Sequence, residues 1–378
     1  VFKDIRAGHT HVLAVDAGDL LGWNPEIRRS RTLLDAFQRL QYDAVGVGDN
    51  EFVEGAAFFA EAVRGRGLPV VSSNVEASVP DWRRVCPPYR IVRKGKLRIG
   101  VVGLASPPSF RLLTPARLGE LAVGDPEETL RRLLPGVRKQ ADLIVVLSHA
   151  DMDWNRGLAR RFPDIGVIVG SHSQTRLQAP VREGNTLIVQ AGYNGAYVGQ
   201  LVLTLDRTHR IKEHTGRLIP LGDPIPDDPD MRRLLSDYSG ALYEEARRNA
   251  ALTGNKPSFR GAETCKPCHE AQYQQWRTTA HARAFHSLVE QDKHYEPECL
   301  GCHTTGYGLP GGFQDIEATR HLADVQCEVC HRVAEDHSQP SARRDPPAPV
   351  LSTLCNACHT PSQSPSFHYE EAVIQVRH

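Results

Sequence analysis

The sequence predicts two architectures in one chain: an α/β domain with helices covering a buried sheet over residues 1–222, and a mostly helical and loop module over 261–378. Two observations carry this. Apolar runs of strand length alternate with helical stretches through the first half, as in a sheet buried on both faces. The last third repeats a C-x-x-C-H motif four times, in a segment too short to enclose a conventional apolar core.

The run His11-Val12-Leu13-Ala14-Val15-Asp16-Ala17-Gly18-Asp19 reads as a buried strand ending in Asp16 and Asp19. An amphipathic helix follows over 28–40, and a second strand over 44–47 opens into Gly48-Asp49-Asn50-Glu51-Phe52. Further strands are predicted over 69–74, 97–104, 143–149, 167–172 and 187–190. Ligands collect at the carboxyl ends of strands in such sheets, and here those ends carry Asp19, Asp49, Asn50, His149, His172 and Gln174. Any one of them alone reads as a hydrogen-bonded loop residue. As a set, oxygen and imidazole donors suit divalent cations that activate water for phosphoester hydrolysis.

After Leu203 the alternation fades. Turn formers crowd residues 220–229, and Leu234, Leu235, Tyr238, Leu242 and Ala246 then recur at helical spacing over 231–249. A helical linker is therefore predicted over 223–260, closed by Thr253-Gly254-Asn255-Lys256-Pro257.

The four motifs are Cys265-Lys266-Pro267-Cys268-His269, Cys299-Leu300-Gly301-Cys302-His303, Cys327-Glu328-Val329-Cys330-His331 and Cys355-Asn356-Ala357-Cys358-His359. Each is a haem attachment site. One turn of chain offers two thiols to the vinyl edges of a porphyrin, and the next residue turns an imidazole onto the iron. Zinc sites built on C-x-x-C do not need histidine beside every second cysteine. Four haem c groups are therefore predicted, with His269, His303, His331 and His359 as proximal ligands. Both methionines, Met152 and Met231, lie outside the module, which disfavours His/Met ligation. Seven further histidines inside it, His281, His286, His294, His321, His337, His368 and His378, supply candidates for bis-histidine, low-potential iron. The haems must supply much of the buried surface, so the module is predicted not to fold without them.

Composition adds boundaries. The chain has 378 residues, ordinary hydrophobic content and zero formal charge, so no preference for nucleic acid or an anionic membrane follows. Eight of nine cysteines belong to the motifs, and Cys86 is predicted to be a buried, inert thiol. Haem c is attached outside the cytoplasm. The chain is therefore expected in the periplasm or at the cell surface, exported by a signal sequence ahead of Val1. No apolar run approaches the length that spans a bilayer.

Two family resemblances sharpen these expectations. Asp16-Ala17-Gly18-Asp19-Leu20-Leu21-Gly22, Gly48-Asp49-Asn50-Glu51-Phe52, Ser73-Asn74, Leu147-Ser148-His149-Ala150-Asp151, Gly170-Ser171-His172-Ser173-Gln174 and Gln190-Ala191-Gly192 resemble the metallophosphoesterase domain of the bacterial 5′-nucleotidase and UDP-sugar hydrolase family. The resemblance implies a metallophosphoesterase-like sandwich lacking its first strand. It makes Asp19 the metal-bridging aspartate and Asp49, His149, His172 and Gln174 further ligands to Zn, Mn or Ca. That family's first strand ends in an Asp-x-His pair; His9-Thr10-His11 is no substitute, because it precedes the second family strand. In its Gly-Asn-His-Glu motif the ligand asparagine is here Asp49. The transition-state histidine is Asn50, and an amide cannot donate a proton as an imidazolium does. Where that family continues into a nucleotide-binding domain, this chain continues into haem motifs. The domain is accordingly read as a scaffold or docking platform with no catalytic residue assigned. Residual metal binding ranks next, and full nucleotidase activity last.

Residues 270–288, 304–313, 321–327 and 331–337 resemble the tetrahaem cytochrome c-554 family, with Trp276-Arg277-Thr278-Thr279-Ala280-His281 matching its Trp-x-x-Ser-x-His pattern. This places distal ligands on His281, His321, His337 and the terminal His378, with His286 and His368 as alternatives. Where that family has Gly-Pro-Gly before the histidine at 337, this chain has Arg332-Val333-Ala334-Glu335. The family can leave one haem five-coordinate. The expected role is electron transfer with redox partner proteins. The alternatives are a haem enzyme acting on a small nitrogen compound, a phosphoesterase with an attached redox module, and a homo-oligomer or filament joined through His378.

Overall fold

A computed structural model describes residues 1–222, 225–253, 259–291, 293–331, 337, 352–360, 363–364 and 366–377. The chain divides into two compact units, Val1–Leu234 and Leu235–His378.

The first unit begins with helix α1 (Phe2–Gly8), strand β1 (Val15–Asp16), helix α2 (Ile27–Leu40), strand β2 (Ala44–Val45) and helix α3 (Ala56–Arg66). Burial of Leu34 holds α2 to the core, and the Glu26 carboxylate caps it by accepting from the Arg28 and Arg29 amides. β1 and β2 pair in parallel, Val15 with Ala44 and Asp16 with Val45. The strand expected over 11–19 is thus only two residues long, because the Ala14 amide already donates to the Asp43 side chain. The strand expected over 69–74 is reduced to a bridge between Val70 and Val45. Beyond it, the Ser73 amide donates to the Gly103 carbonyl, and Gly103 has no room for a side chain against the Val71 carbonyl.

Next come strand β3 (Val75–Ala77), helix α4 (Trp82–Val85), β4 (Tyr89–Lys94), β5 (Leu97–Ala105), α5 (Pro115–Leu118), β6 (Leu121–Val123) and α6 (Pro126–Arg138). They are followed by β7 (Leu143–His149), α7 (Met152–Arg161), β8 (Val167–Gly170), β9 (Val181–Glu183) and β10 (Thr186–Val189). The main sheet runs β4-β5-β7-β8-β10-β9, with β5, β7, β8 and β10 parallel and antiparallel strands at both edges. Both faces are covered. Val102, Leu104, Ile144 and Val146 pack with Leu130 of α6 and Leu158 of α7, while Ile99, Val101, Val145 and Leu147 pack with Ala17, Ala44 and Val71. Side chains alternate along a strand, so burial on both faces turns alternation into a continuous apolar run.

The chain then forms a long antiparallel hairpin, β11 (Tyr197–Leu205) and β12 (Ile211–Pro220). The strand–helix alternation does end here, but this hairpin was not anticipated from the sequence. Its solvent side carries Thr204, Lys212, Glu213 and Arg217, which dilute the apolar signal. Helix α8 (Pro229–Thr253) follows, longer than the predicted 231–249, and contains the division between the units.

The second unit is built of short helices, among them Ala262–Cys265, Glu270–Arg277, Ala284–Glu290 and Pro297–His303. Among the described residues it has no strand, only a bridge between Thr304 and Ala323. Its apolar cluster is small: Phe285, Leu288, Leu300, Phe313 and Leu322. No described helix anywhere in the chain is long and apolar enough to cross a membrane.

Candidate metal centre and haem module

The carboxyl ends of β1, β2, β7 and β8 deliver Asp19, Asp49, His149 and His172 to one place. The approach is close because Gly18 and Gly48 face each other. A Cβ on Gly18, whose φ is +101°, would lie 2.6 Å from the Gly48 nitrogen, and one on Gly48 would lie 2.4 Å from Asp19 Oδ1 and 2.7 Å from His149 Nδ1. The space a side chain would fill at Gly48 is therefore the space between the donors. Asp19 and His172 also adopt left-handed backbone, with φ of 65° and 66°, as does Gln174 at 54°. Such conformations cost roughly 1–3 kcal/mol each and gather at functional sites.

His149 is fully buried. Its Nε2 lies 3.1 Å from Asp49 Oδ1 and 3.7 Å from Asp19 Oδ1, and the His172 ring stands edge-on at 4.9 Å. Donor atoms of Asp49, His149 and His172 all fall within 4.8 Å of one another. His149 Nδ1 is buried with no hydrogen-bond partner, a cost that a bound ion or water removes. Gln174 is exposed, and no hydrogen bond among the described residues joins its side chain to this group.

Electrostatics point the same way. Burial raises the Asp19 pKa and the Asp49 charge adds to it, against the opposing pull of His149. Burial likewise pushes Asp16 up to about 6 and Glu51 up to about 8. Burial lowers His149, but its hydrogen bond to Asp49 and the charges of Asp19, Glu51 and Asp49 outweigh that and hold the imidazole above its usual range. A crowd of carboxylates that takes up protons for want of positive charge suits a divalent cation, and the mixed imidazole and carboxylate set suits Zn or Mn better than Ca. Sequence reasoning left Glu51 unassigned. Its carboxylate accepts from the amides of Gly48 at 2.5 Å, Leu20 at 2.6 Å and Asp19 at 3.1 Å, tying the β1 loop to the β2 loop. The signal was its place in the Gly48-Asp49-Asn50-Glu51 motif.

In the second unit the haem motifs are single helical turns: His269, His331 and His359 each donate their backbone amide to the carbonyl of the first cysteine of their motif. All nine cysteines are free of disulfides, and Cys86 is fully buried, its thiol pushed up by that burial.

Two pairs of imidazoles face one another. His269 and His337 have ring centroids 6.2 Å apart with planes 13° from parallel, and His281 and His359 lie 6.1 Å apart. This separation leaves room for an iron at roughly 2 Å from one nitrogen of each ring, an ordinary metal–imidazole distance, so the residues fit the group the motifs call for. His303 Nδ1 lies 2.8 Å from the Ala284 carbonyl and His359 Nδ1 lies 3.1 Å from Ser364 Oγ. Donating from Nδ1 in this way leaves Nε2 for metal. Burial, then the charge of His359, lowers the His281 pKa; burial, then His303, lowers that of His359. Both therefore favour the neutral form that a metal binds. The Trp276 indole donates to the Val325 carbonyl, and the Val325 amide to the His281 carbonyl, which fixes the turn carrying His281. His321 is exposed in a 3₁₀ turn, and His378 and residues 332–336 lie outside the described residues.

Comparison with known proteins bears on both units. The first unit has the fold of the calcineurin-like phosphoesterases. It is similar to a 5′-nucleotidase precursor from Thermus thermophilus, with a TM-score of 0.57 at 29% identity over 64% of this chain and 52% of that one. It is also similar to the snake venom 5′-nucleotidase of Crotalus adamanteus, 25% identical over 66% of this chain and 47% of the relative. The chain thus spans about half the length of the nucleotidases it matches. Residues 264–332 match the family model described as cytochrome c554 and c-prime. The cytochrome c-554 of Nitrosomonas europaea is 36% identical over 96 residues, covering 21% of this chain and 40% of that protein. The chain is a fusion of a 5′-nucleotidase-like phosphoesterase domain and a c-type cytochrome module of the cytochrome c-554 kind.

Proposed function

We propose that this chain is a multihaem electron-transfer protein acting in the periplasm or at the cell surface. Four haem c groups are held by Cys265, Cys268, Cys299, Cys302, Cys327, Cys330, Cys355 and Cys358. The observation that carries this reading is the pair of opposed imidazoles, each joining one motif histidine to a histidine from elsewhere in the module. Ligation of that kind favours low-spin, low-potential iron, suited to passing electrons. Redox proteins of complementary surface are the partners. The test is electron paramagnetic resonance of the holoprotein beside a His337→Ala variant. The parent should be dominated by low-spin signals, and the variant should convert the haem of His269 to high spin or to an exogenous-ligand complex. An unchanged spectrum would remove His337 from the iron and take the assignment with it.

A second reading, that the first unit hydrolyses phosphoesters slowly, is supported by the partnerless His149 Nδ1 inside the carboxylate group. Asp19, Asp49, His149 and His172 would hold a cation, which would supply charge stabilisation and an acidified water. Asn50 stands at the β2 loop, its backbone amide donating to Asp19 Oδ1 at 3.2 Å; its side-chain amide can bind and orient a substrate oxygen but cannot deliver a proton. Asn50→His should therefore raise manganese-dependent hydrolysis of p-nitrophenyl phosphate by roughly 10²-fold. Equal rates in both proteins would argue that this unit is a scaffold.

A further inference from the structure

The first unit contains a cavity of about 490 Å³ between α3, α4 and the start of β4, lined by Arg64, Arg84, Arg90, Asp81, Leu68 and Val85. It lies away from the metal centre. Leu68 precedes Val70, whose parallel bridge to Val45 puts it at the amino-terminal side of that strand pair, whereas Asp49 follows the carboxyl end. Three arginines and one aspartate are among the lining residues, so the lining carries net positive charge. No ion pair among the described residues neutralises Arg64, Arg84 or Arg90. Arg90 Nε is buried and makes no hydrogen bond, a state that costs free energy. At the other wall Gly67, with φ of +62°, has open space where a side chain would stand. The Leu68 and Val85 side chains add an apolar surface beside the arginines.

We propose that this cavity binds a small organic phosphate monoester, its head on the guanidinium groups and its organic body against Leu68 and Val85. A carboxylate is satisfied by one guanidinium fork, whereas a dianionic phosphate offers three oxygens that several arginines can share. The volume falls within the range of small-ligand pockets and exceeds what inorganic phosphate alone would fill.

The test is equilibrium dialysis of phenyl phosphate against the full haem-loaded chain, stripped of loosely held cations on chelating resin so that the metal centre does not compete. One saturable site per chain is expected. Arg64→Gln and Arg84→Gln, both at exposed positions that leave the core untouched, should weaken it about tenfold each, and Arg90→Gln by more. Arg156→Gln, an exposed arginine of α7, should leave it unchanged. Benzoate should bind at least tenfold more weakly than phenyl phosphate, and inorganic phosphate more weakly too. The proposal is overturned by the absence of saturable binding up to about 10 mM, by Arg64→Gln and Arg84→Gln binding as the parent does, or by benzoate binding as tightly as phenyl phosphate.

Discussion

The two units solve the problem of burial in opposite ways. In the first, aliphatic side chains from both faces of a six-stranded sheet make the core, and the metal donors sit at its strand ends as an addition. In the second, the described apolar cluster has five buried residues, and the helices and turns around it offer the cysteines and histidines of the haem motifs. The difference teaches where each ligand enters the energetics. A cation at the first site would stabilise a fold that already has its own core, whereas haem would supply part of the core of the second. The largest consequence is for protein made without haem attachment. Limited proteolysis should then leave a resistant fragment corresponding to Val1–Leu234 and degrade the rest, with loss of the helical signal of the second unit. A protease-resistant second unit in haem-free protein would break the contrast, because it would show that the five-residue cluster suffices.

A smaller effect sharpens the same contrast from the other side. Manganese or zinc at a hundredfold excess over its dissociation constant should stabilise the first unit by about 2.7 kcal/mol, a rise of several degrees in its melting temperature. The Soret band, which reports only the haems, should not move. His172→Ala removes one of the three converging donors and should abolish most of the shift. Equal stabilisation of parent and variant would mean that the cation binds elsewhere.

How far the sequence anticipated this structure follows from the same division. The strands at 97–104 and 143–149 were legible because Ile99 and Val101 face one layer while Val102 and Leu104 face the other, so polar residues (Arg98, Ser148, His149) stand only near the strand ends. The β11–β12 hairpin was not, since its solvent side mixes Thr204, Lys212 and Arg217 into the pattern. Asp19, Asp49, His149 and His172 were found as polar residues at strand ends, yet Glu51 was passed over. Its partners are amides of Asp19 and Leu20, and no spacing rule links a carboxylate to backbone donors on another strand. Proximal histidines announce themselves beside cysteine. The opposition of His269 to His337 and of His281 to His359 is a product of chain path, visible only once the turns are placed.

The smallest expected effect tests whether the first unit is held by its own packing and charges, independent of haem. Arg98 and Asp142 sit at the amino ends of β5 and β7, where the Arg98 guanidinium reaches Asp142 Oδ1 at 2.7 Å and its amide donates to Oδ2 at 2.9 Å. The Arg98 side chain, with that amide, holds Asp142 down to about 2, from an ordinary value of 3.8. A depressed carboxylate contributes stability that is complete above its unfolded value and is lost as pH falls through the folded one. Melting of the first unit should therefore lose this contribution between about pH 4 and pH 2. Because the pair lies at the surface, Asp142→Asn should cost about 0.5 kcal/mol at neutral pH, and nothing once Asp142 is protonated in the parent. The two melting curves should converge at acid pH while haem absorbance at neutral pH stays identical. A gap that persists at pH 2 would mean that Asp142 acts through packing rather than charge, and a change in the haem spectrum would mean that the units are not energetically separate.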